Sequence, residues 1–354
     1  AMTTRPAVDS AIAPHLRCPR TLPRRCADDY VPFKPGFVAH FDAATERLAM
    51  VSFGVQYRGV EQAALAHAAI ATWRAAARQD HGPAASDVAH YVDEAGFDTL
   101  LWIASWPDPV RLALWMQESG MQAWWNDPLR EAEGVGWFRE TVEPAIDRVE
   151  TILSGVDAPE GIASFGKLHG PVQEKGYWGG MRDRLPLAQR DRLAPGGSPH
   201  VVQRQGKRLH VRAGDNLVLI RSGHDWSDTS GEERRVFLDE LRPVLHDGMR
   251  FLQDEGQAIG CHANRLLTVV DENLAPTAHA FGMSWWHSLA DLERWAETHP
   301  THLAIYGGFL RMARALNFDL RLRLYHEVAV VPAQDQAFEY IACHPGTGLL
   351  RALA

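Results

Sequence analysis

The chain has 354 residues with 36 basic and 44 acidic side chains, a formal charge of −8, and 46% hydrophobic residues. That composition excludes a disordered or fibrous chain, and the acidic balance argues against a nucleic-acid partner, which needs clustered Lys and Arg. No run approaches the ~20 apolar residues of a membrane span, no apolar leader core opens the chain, and the four cysteines form no CxxC pair, so neither a disulfide framework nor a zinc ribbon is indicated and the cytoplasm is the expected compartment.

Residues 48–57 are the first strand candidate, an apolar run stopped at a glycine and an aromatic. An alanine-rich helix follows over 61–79. Residues 99–106 form the next strand, a helix behind it carries Trp115, and residues 148–153 supply a late strand. The same order then recurs. Residues 217–226 overlay 48–57, with a glycine and an aromatic again in step. Ser230-Gly-Glu-Glu233 reads as a capping box for a helix with the stripe Phe237, Leu241, Val244, Leu245 and Leu252, which Pro243 is placed to kink. Residues 279–286 overlay 99–106, and a helix carrying Trp295 follows. Trp106 to Trp115 and Trp286 to Trp295 both span nine residues. The late strand of this half is 320–331.

Strand, helix, strand, helix, strand written twice predicts an α+β protein: tandem ferredoxin-like units forming a β-barrel-like core with flanking helices. The expected division is an N-terminal half over residues 1–157, a Gly- and Pro-rich connecting region over 158–215, and a C-terminal half over 216–354. The paired tryptophans read as core.

The candidate chemistry lies mostly in the second copy. Leu320, Leu322, Leu324, Val328 and Val330 share one face of the last strand, and Arg321, Arg323, Tyr325 and Glu327 share the other. His326 breaks the apolar face. A hydrogen-bonded core histidine fits that pattern, and so does an acid/base facing a cavity. Ser222 breaks its own apolar face where the first copy has Phe53. Glu150 overlays His326 on the late strands and reads either as its buried partner or as an exposed strand carboxylate. Thr298-His-Pro-Thr-His302 closes one helix and opens another at Pro300. His299 and His302 have the spacing to share a metal, yet nothing completes a zinc set. A single histidine on haem iron leaves no local signature. Arg182 and Arg184, in the connecting region, are suited to orient an oxygen or to remain solvated.

At these residues the chain resembles the haem-containing aldoxime dehydratases. The likeness runs from Cys18-Pro-Arg-Thr-Leu-Pro-Arg-Arg25 through Gly176-Tyr-Trp-Gly-Gly-Met-Arg-Asp-Arg184, Leu219-Ile-Arg-Ser-Gly-His-Asp-Trp226, His299-Pro-Thr-His302 and Leu322-Arg-Leu-Tyr-His-Glu-Val328 to Cys343-His-Pro-Gly-Thr-Gly-Leu-Leu-Arg351. It implies a dimeric α+β barrel type of fold, a homodimer, and non-covalent haem b active as Fe(II). It implies His302 as the proximal iron ligand, His326 as the distal acid/base, Ser222 and Arg184 as distal hydrogen-bonding groups, and Glu150 as the partner of His326. The implied reaction takes a small aliphatic or aryl aldoxime, R–CH=N–OH, to the nitrile and water, with ferrous iron on the oxime nitrogen. A peroxidase-like or oxygen-activating haem enzyme, and a haem carrier or sensor, are the alternatives. Two departures from the family pattern stand out: a longer spacer from His302 to His326, with Asn317-Phe-Asp319 in it, and His224 in place of Gln.

Overall fold

A computed structural model describes residues 8–353. The first half holds β1 (Val38–His40), β2 (Ala49–Tyr57), α1 (Gly59–Ala77), β3 (Ala85–Val92), β4 (Asp98–Trp106), α2 (Pro109–Glu118), α3 (Met121–Asn126), β5 (Gly136–Val142) and β6 (Val149–Leu153). The connecting region holds β7 (Lys167–His169), α4 (Gly180–Arg184), β8 (His200–Gln205) and β9 (Arg208–Arg212). The second half holds β10 (Leu217–Asp225), α5 (Gly231–Val236), α6 (Arg242–Glu255), β11 (Cys261–Val270), β12 (Pro276–Trp286), α7 (Leu289–Thr298), α8 (Pro300–Ala315), β13 (Arg323–Val331) and β14 (Gln336–Ile341).

Local chemistry accounts for the boundaries that matter. Asp108 caps α2 by accepting the Val110 N–H at 2.8 Å, with Pro109 in the first turn. Ser288 caps α7 in the same way, accepting from Asp291 N at 3.0 Å. Pro243 does not break its helix. The turn Phe237–Leu241 just before it widens to a π-helix, so the carbonyls that a proline ring would strike are spread apart. The expected capping box at Ser230 is not formed. Glu233 is buried and its carboxylate instead accepts the backbone N–H groups of Arg321 and Leu322, both at 2.8 Å. A tertiary demand takes the residue that the local pattern assigned to the cap.

Twelve strands form one sheet in the order β6-β13-β10-β12-β11-β3-β4-β2-β5-β14-β9-β8. Within it, β3-β4-β2-β5 and β11-β12-β10-β13 repeat one antiparallel order. The two blocks meet through a short β11–β3 ladder, Thr268↔His90 and Val269↔Ala89. The remaining strands are exchanged. β6, from the first half, lies on β13 of the second, and β14, from the second, lies on β5 of the first. This corrects two expectations. The counterpart of β13 is β5, whereas residues 148–153 are an added strand. The barrel-like core is also not a closed ladder: β6 and β14 occupy the edges of β13 and β5 where closure would have to form.

The inner faces of both blocks share one core that includes Leu101, Phe138, Leu219, Phe281, Met283, Trp285 and Phe338. Arg265 and Glu140 are paired within it at 2.7 Å. Tyr325 and Glu327, on the strand face with more polar residues, are buried there too. Helices cover the outer faces. Among the described residues no helix is long and apolar enough to cross a membrane.

Candidate functional site

The site is built on the outer face of β10, β12 and β13. Ser222 lies directly across from His326 on one side and from Gly282 on the other. The Cβ atoms of such cross-strand pairs stand about 5 Å apart, so hydroxyl and imidazole project side by side. Ile220, Leu266 and Leu324 surround them, and all five side chains keep some accessible surface in mid-sheet, while Val218, Ala280, Val328 and Val330 are closed off. The face therefore opens on a slot.

The first half has the same positions filled. Phe53 lies across from Trp102 and Arg139, as Ser222 lies across from Gly282 and His326. Phe53 packs against Trp73, Trp102, Trp115 and Trp125, with ring centroids 5.6 to 6.5 Å apart. Exchanging Phe and Trp for Ser and Gly removes two large rings from an otherwise equivalent place. Gly282 was missed as a site residue, although the overlay of 99–106 on 279–286 already sets it against Trp102.

Helix α8 covers the slot. Pro300 starts it, with His299 as its cap, so that His302 falls in the first turn. The two histidines do different work. His299 stacks on Phe251 at 4.3 Å and its Nδ1 accepts from Thr301, so it is spent on holding the helix start. The Nδ1–H of His302 donates to the Ala296 carbonyl at 2.7 Å, which fixes the tautomer and leaves Nε2 with its lone pair. The Trp295 ring lies 4.8 Å from the His302 ring, and the Trp178 ring 5.7 Å. Among the described residues no group of three His, Cys, Asp or Glu side chains is placed to hold a metal ion. A single uncommitted imidazole nitrogen between aromatic rings, facing an open and mostly apolar sheet face, is a donor set that fits a haem iron and its flat macrocycle.

The connecting region delivers one arginine to the site and keeps the other out. Tyr177 O–H and the Arg25 N–H both donate to Asp183, at 2.8 and 2.9 Å, and pin the short helix α4. From its end, Arg184 turns inward and is buried. Its Nε and Nη2 donate to Glu150 at 2.5 and 3.3 Å, and its Nη1 donates to the Glu174 carbonyl at 2.9 Å. Arg182 instead pairs with Glu293 at 2.5 Å. Glu150 does not meet His326 as expected. It lies across from Val328, one rung along, with Ile152 across from His326, and its charge is answered by Arg184. The misplacement follows from the added strand: the overlay set β6 on β13, but β6 pairs with β13 rather than repeating it.

Burial sets the protonation states. It pushes the His326 imidazole down to about 4, helped by the positive charge of Arg184 and by the neighbouring His302. His302 is lowered for the same first reason. His224, next along the same face after Ser222, is pushed down to about 3, and its Nε2 has no partner. Burial raises the Glu150 carboxyl against the pull of Arg184. The site thus presents neutral imidazoles on both sides of the slot and one buried ion pair at its end.

The family model for haem-containing dehydratases matches residues 51–349. An aliphatic aldoxime dehydratase of Pseudomonas chlororaphis is 42% identical over 348 residues, covering 97% of this chain and 98% of that one. A phenylacetaldoxime dehydratase of a Bacillus species is 33% identical over 276 residues, covering 76% and 78%. A crystal structure of an aldoxime dehydratase in complex with butyraldoxime superposes with a TM-score of 0.94 at 40% identity, covering 98% of this chain and 96% of that one. The chain belongs to the haem-containing dehydratase family.

Proposed function

We propose that this chain is a lyase that dehydrates aldoximes to nitriles, with haem held by His302 over the Ser222–His326 face. The carrying observation is that pair, set in an open slot opposite an imidazole with a free Nε2, in the half whose counterpart is plugged by Phe53 and Trp102. Haem held by His302 would supply an electron-rich iron for the oxime nitrogen.

The remaining work falls to side chains. Ser222 and the two N–H groups that Arg184 does not already use orient the hydroxyl oxygen of the oxime. The His326 imidazolium gives that oxygen a proton, so the N–O electron pair leaves with water. The neutral His326 then takes the proton from carbon, and the C–H electrons complete the nitrile triple bond. Protons balance within one turnover. With His326 near 4, about one molecule in a thousand carries the extra proton at pH 7. The bound hydroxyl adds an acceptor that favours the protonated imidazole. Glu150 serves here by holding Arg184.

Ile220, Leu266 and Leu324 suit an apolar tail, and the relatives named above act on aliphatic and phenylacetaldoximes, so small aliphatic or aryl aldoximes are the substrate class. The shared order of the two strand blocks supports reading residues 1–157 and 216–354 as duplicated ferredoxin-like halves about the connecting region 158–215. Four free thiols fit a reducing, cytoplasmic compartment. The fully exposed edge strand β8 fits pairing into a homodimer. The test is reduced, haem-loaded protein given butyraldoxime and phenylacetaldoxime, with nitrile measured by gas chromatography. Nitrile from the ferrous and not the ferric form is expected; a histidine-bound ferrous haem that forms none overturns the reading.

A further inference from the structure

Each turnover of the reaction proposed above makes one molecule of water beside Arg184, in a pocket otherwise filled by an apolar oxime tail. A cavity of about 30 Å³ reaches that arginine, lined also by residues of β6, of β1 and of the segment before β1. Glu150, Thr151 and Arg184 line its buried inner end; Ala13, His40 and the exposed His15 complete its wall toward the surface. That volume has room for one or two waters when polar partners are present.

Polar groups line it. Three of the guanidinium N–H groups of Arg184 are used, and the other two are those assigned above to the oxime hydroxyl, so the water starts its path at this residue. Thr151 Oγ1 accepts from the Ala39 N–H at 2.8 Å, so its own O–H is free to donate. The His40 Nε2–H donates to the Ala11 carbonyl at 2.9 Å, so its Nδ1 is free to accept. These groups form a graded series from the buried ion pair to the surface, with alanine side chains between them.

We propose that this cavity is the water exit of the enzyme: the water formed from the oxime hydroxyl passes behind the Arg184–Glu150 pair, along Thr151, and out between His40 and His15. The inference rests on the dehydratase reading. Because the reaction is proton-neutral, the route carries a neutral molecule and no net charge, which suits a passage walled by apolar side chains with Thr151 and His40 among them.

Two variants test it. Ala13→Leu fills the cavity, and Leu16→Ala, on the same wall, widens it. Reduced, haem-loaded protein is followed by rapid mixing and in steady state. The expected result for Ala13→Leu is a first turnover within about twofold of the parent and a steady-state kcat lower by about tenfold, as when product release becomes limiting. Leu16→Ala is expected to keep the parent kcat. A high-resolution crystal structure should show ordered water between Glu150 and His15 in the parent and none in Ala13→Leu. A dry cavity in the parent overturns the proposal. So does a first turnover that falls as far as kcat, or a kcat unchanged with Leu seen in place. A parent that forms no nitrile at all fails the dehydratase reading instead, and with it the cargo of the exit.

Discussion

Replacing Glu150 by Ala should destabilise the protein more than almost any other single change near the site. Its carboxylate is 1% exposed, the Arg184 side chain is 7% exposed, and they share hydrogen bonds of 2.5 and 3.3 Å. Solvent screening therefore does little to weaken the pair. Removing one partner leaves a buried guanidinium with a single carbonyl acceptor, at a cost of about 3–5 kcal/mol. An unfolding entropy of about 2.1 cal/mol/K per residue gives about 0.7 kcal/mol/K over this chain, so the melting temperature should drop by about 4–7 °C. Glu150→Gln keeps an acceptor and loses only the charge, for about 1–2 kcal/mol. Replacing both partners by Met removes the buried charges together and should restore much of the stability while abolishing the arginine's role in turnover. Urea unfolding of the four proteins, parent and variants, measures this. A loss below about 1 kcal/mol for Glu150→Ala, or equal losses for Ala and Gln, would refute the picture of an unscreened ion pair.

Three further outcomes follow from the same geometry. His302→Ala should lose haem, read from the Soret band and iron content, and imidazole in the buffer should restore part of it; a variant that keeps a histidine-ligated spectrum would reassign the ligand. His326→Ala should retain haem and lose about 10²–10⁴ in kcat, the usual worth of a positioned acid/base. An unchanged kcat would remove His326 from the proton path. The third concerns pH. His326 and His262 are held down at about 4 and His224 at about 3, each chiefly by burial, below the ordinary 6.5. The unfolded chain then binds these protons more tightly than the folded one. Their stability contribution is complete above pH 6.5 and is lost as pH falls from 6.5 to about 4 for His326 and His262 and to about 3 for His224. Each group contributes a slope of up to about 1.4 kcal/mol per pH unit there. His279 is raised by Glu160, after desolvation, and works in the opposite sense. Urea midpoints at three pH values should fall toward acid, and His224→Phe should flatten the fall; a flat parent profile would contradict it.

The parts of the candidate site legible in the sequence are those where the two copies disagree. Ser222 stands out because a strand alternates with period two and its copy has Phe53. His302 lacks any counterpart in the first copy, and His326 interrupts an alternation of leucines and valines. Each of these signals is local. The neighbour of Glu150 was misplaced because its position depends on a strand that leaves its own half, which no local period records. The β5 strand was overlooked for the same reason: residues 148–153 took its place in the repeat. The hairpin of β8 and β9 went unread inside the Gly- and Pro-rich region, although Gly206 turns between two alternating runs with a φ of 58°. Glu233 shows the limit from the other side, since its motif was correctly spaced for a cap and its carboxylate was needed 88 residues away.

The exchanged strands also set an order of events during synthesis. The first block of four strands is complete once β5 has been made, yet its edge stays open until β14, the last strand among the described residues, emerges. β6 meanwhile has to wait for β13. A nascent chain therefore carries unpaired strand edges until β13 and β14 have been made, the situation in which β-proteins self-associate. Final locking of the sheet comes only when β13 and β14 have both been made. Removing the residues from 336 onward would strip the edge of the half that holds no candidate ligand, and the damage would reach the other half through the shared core.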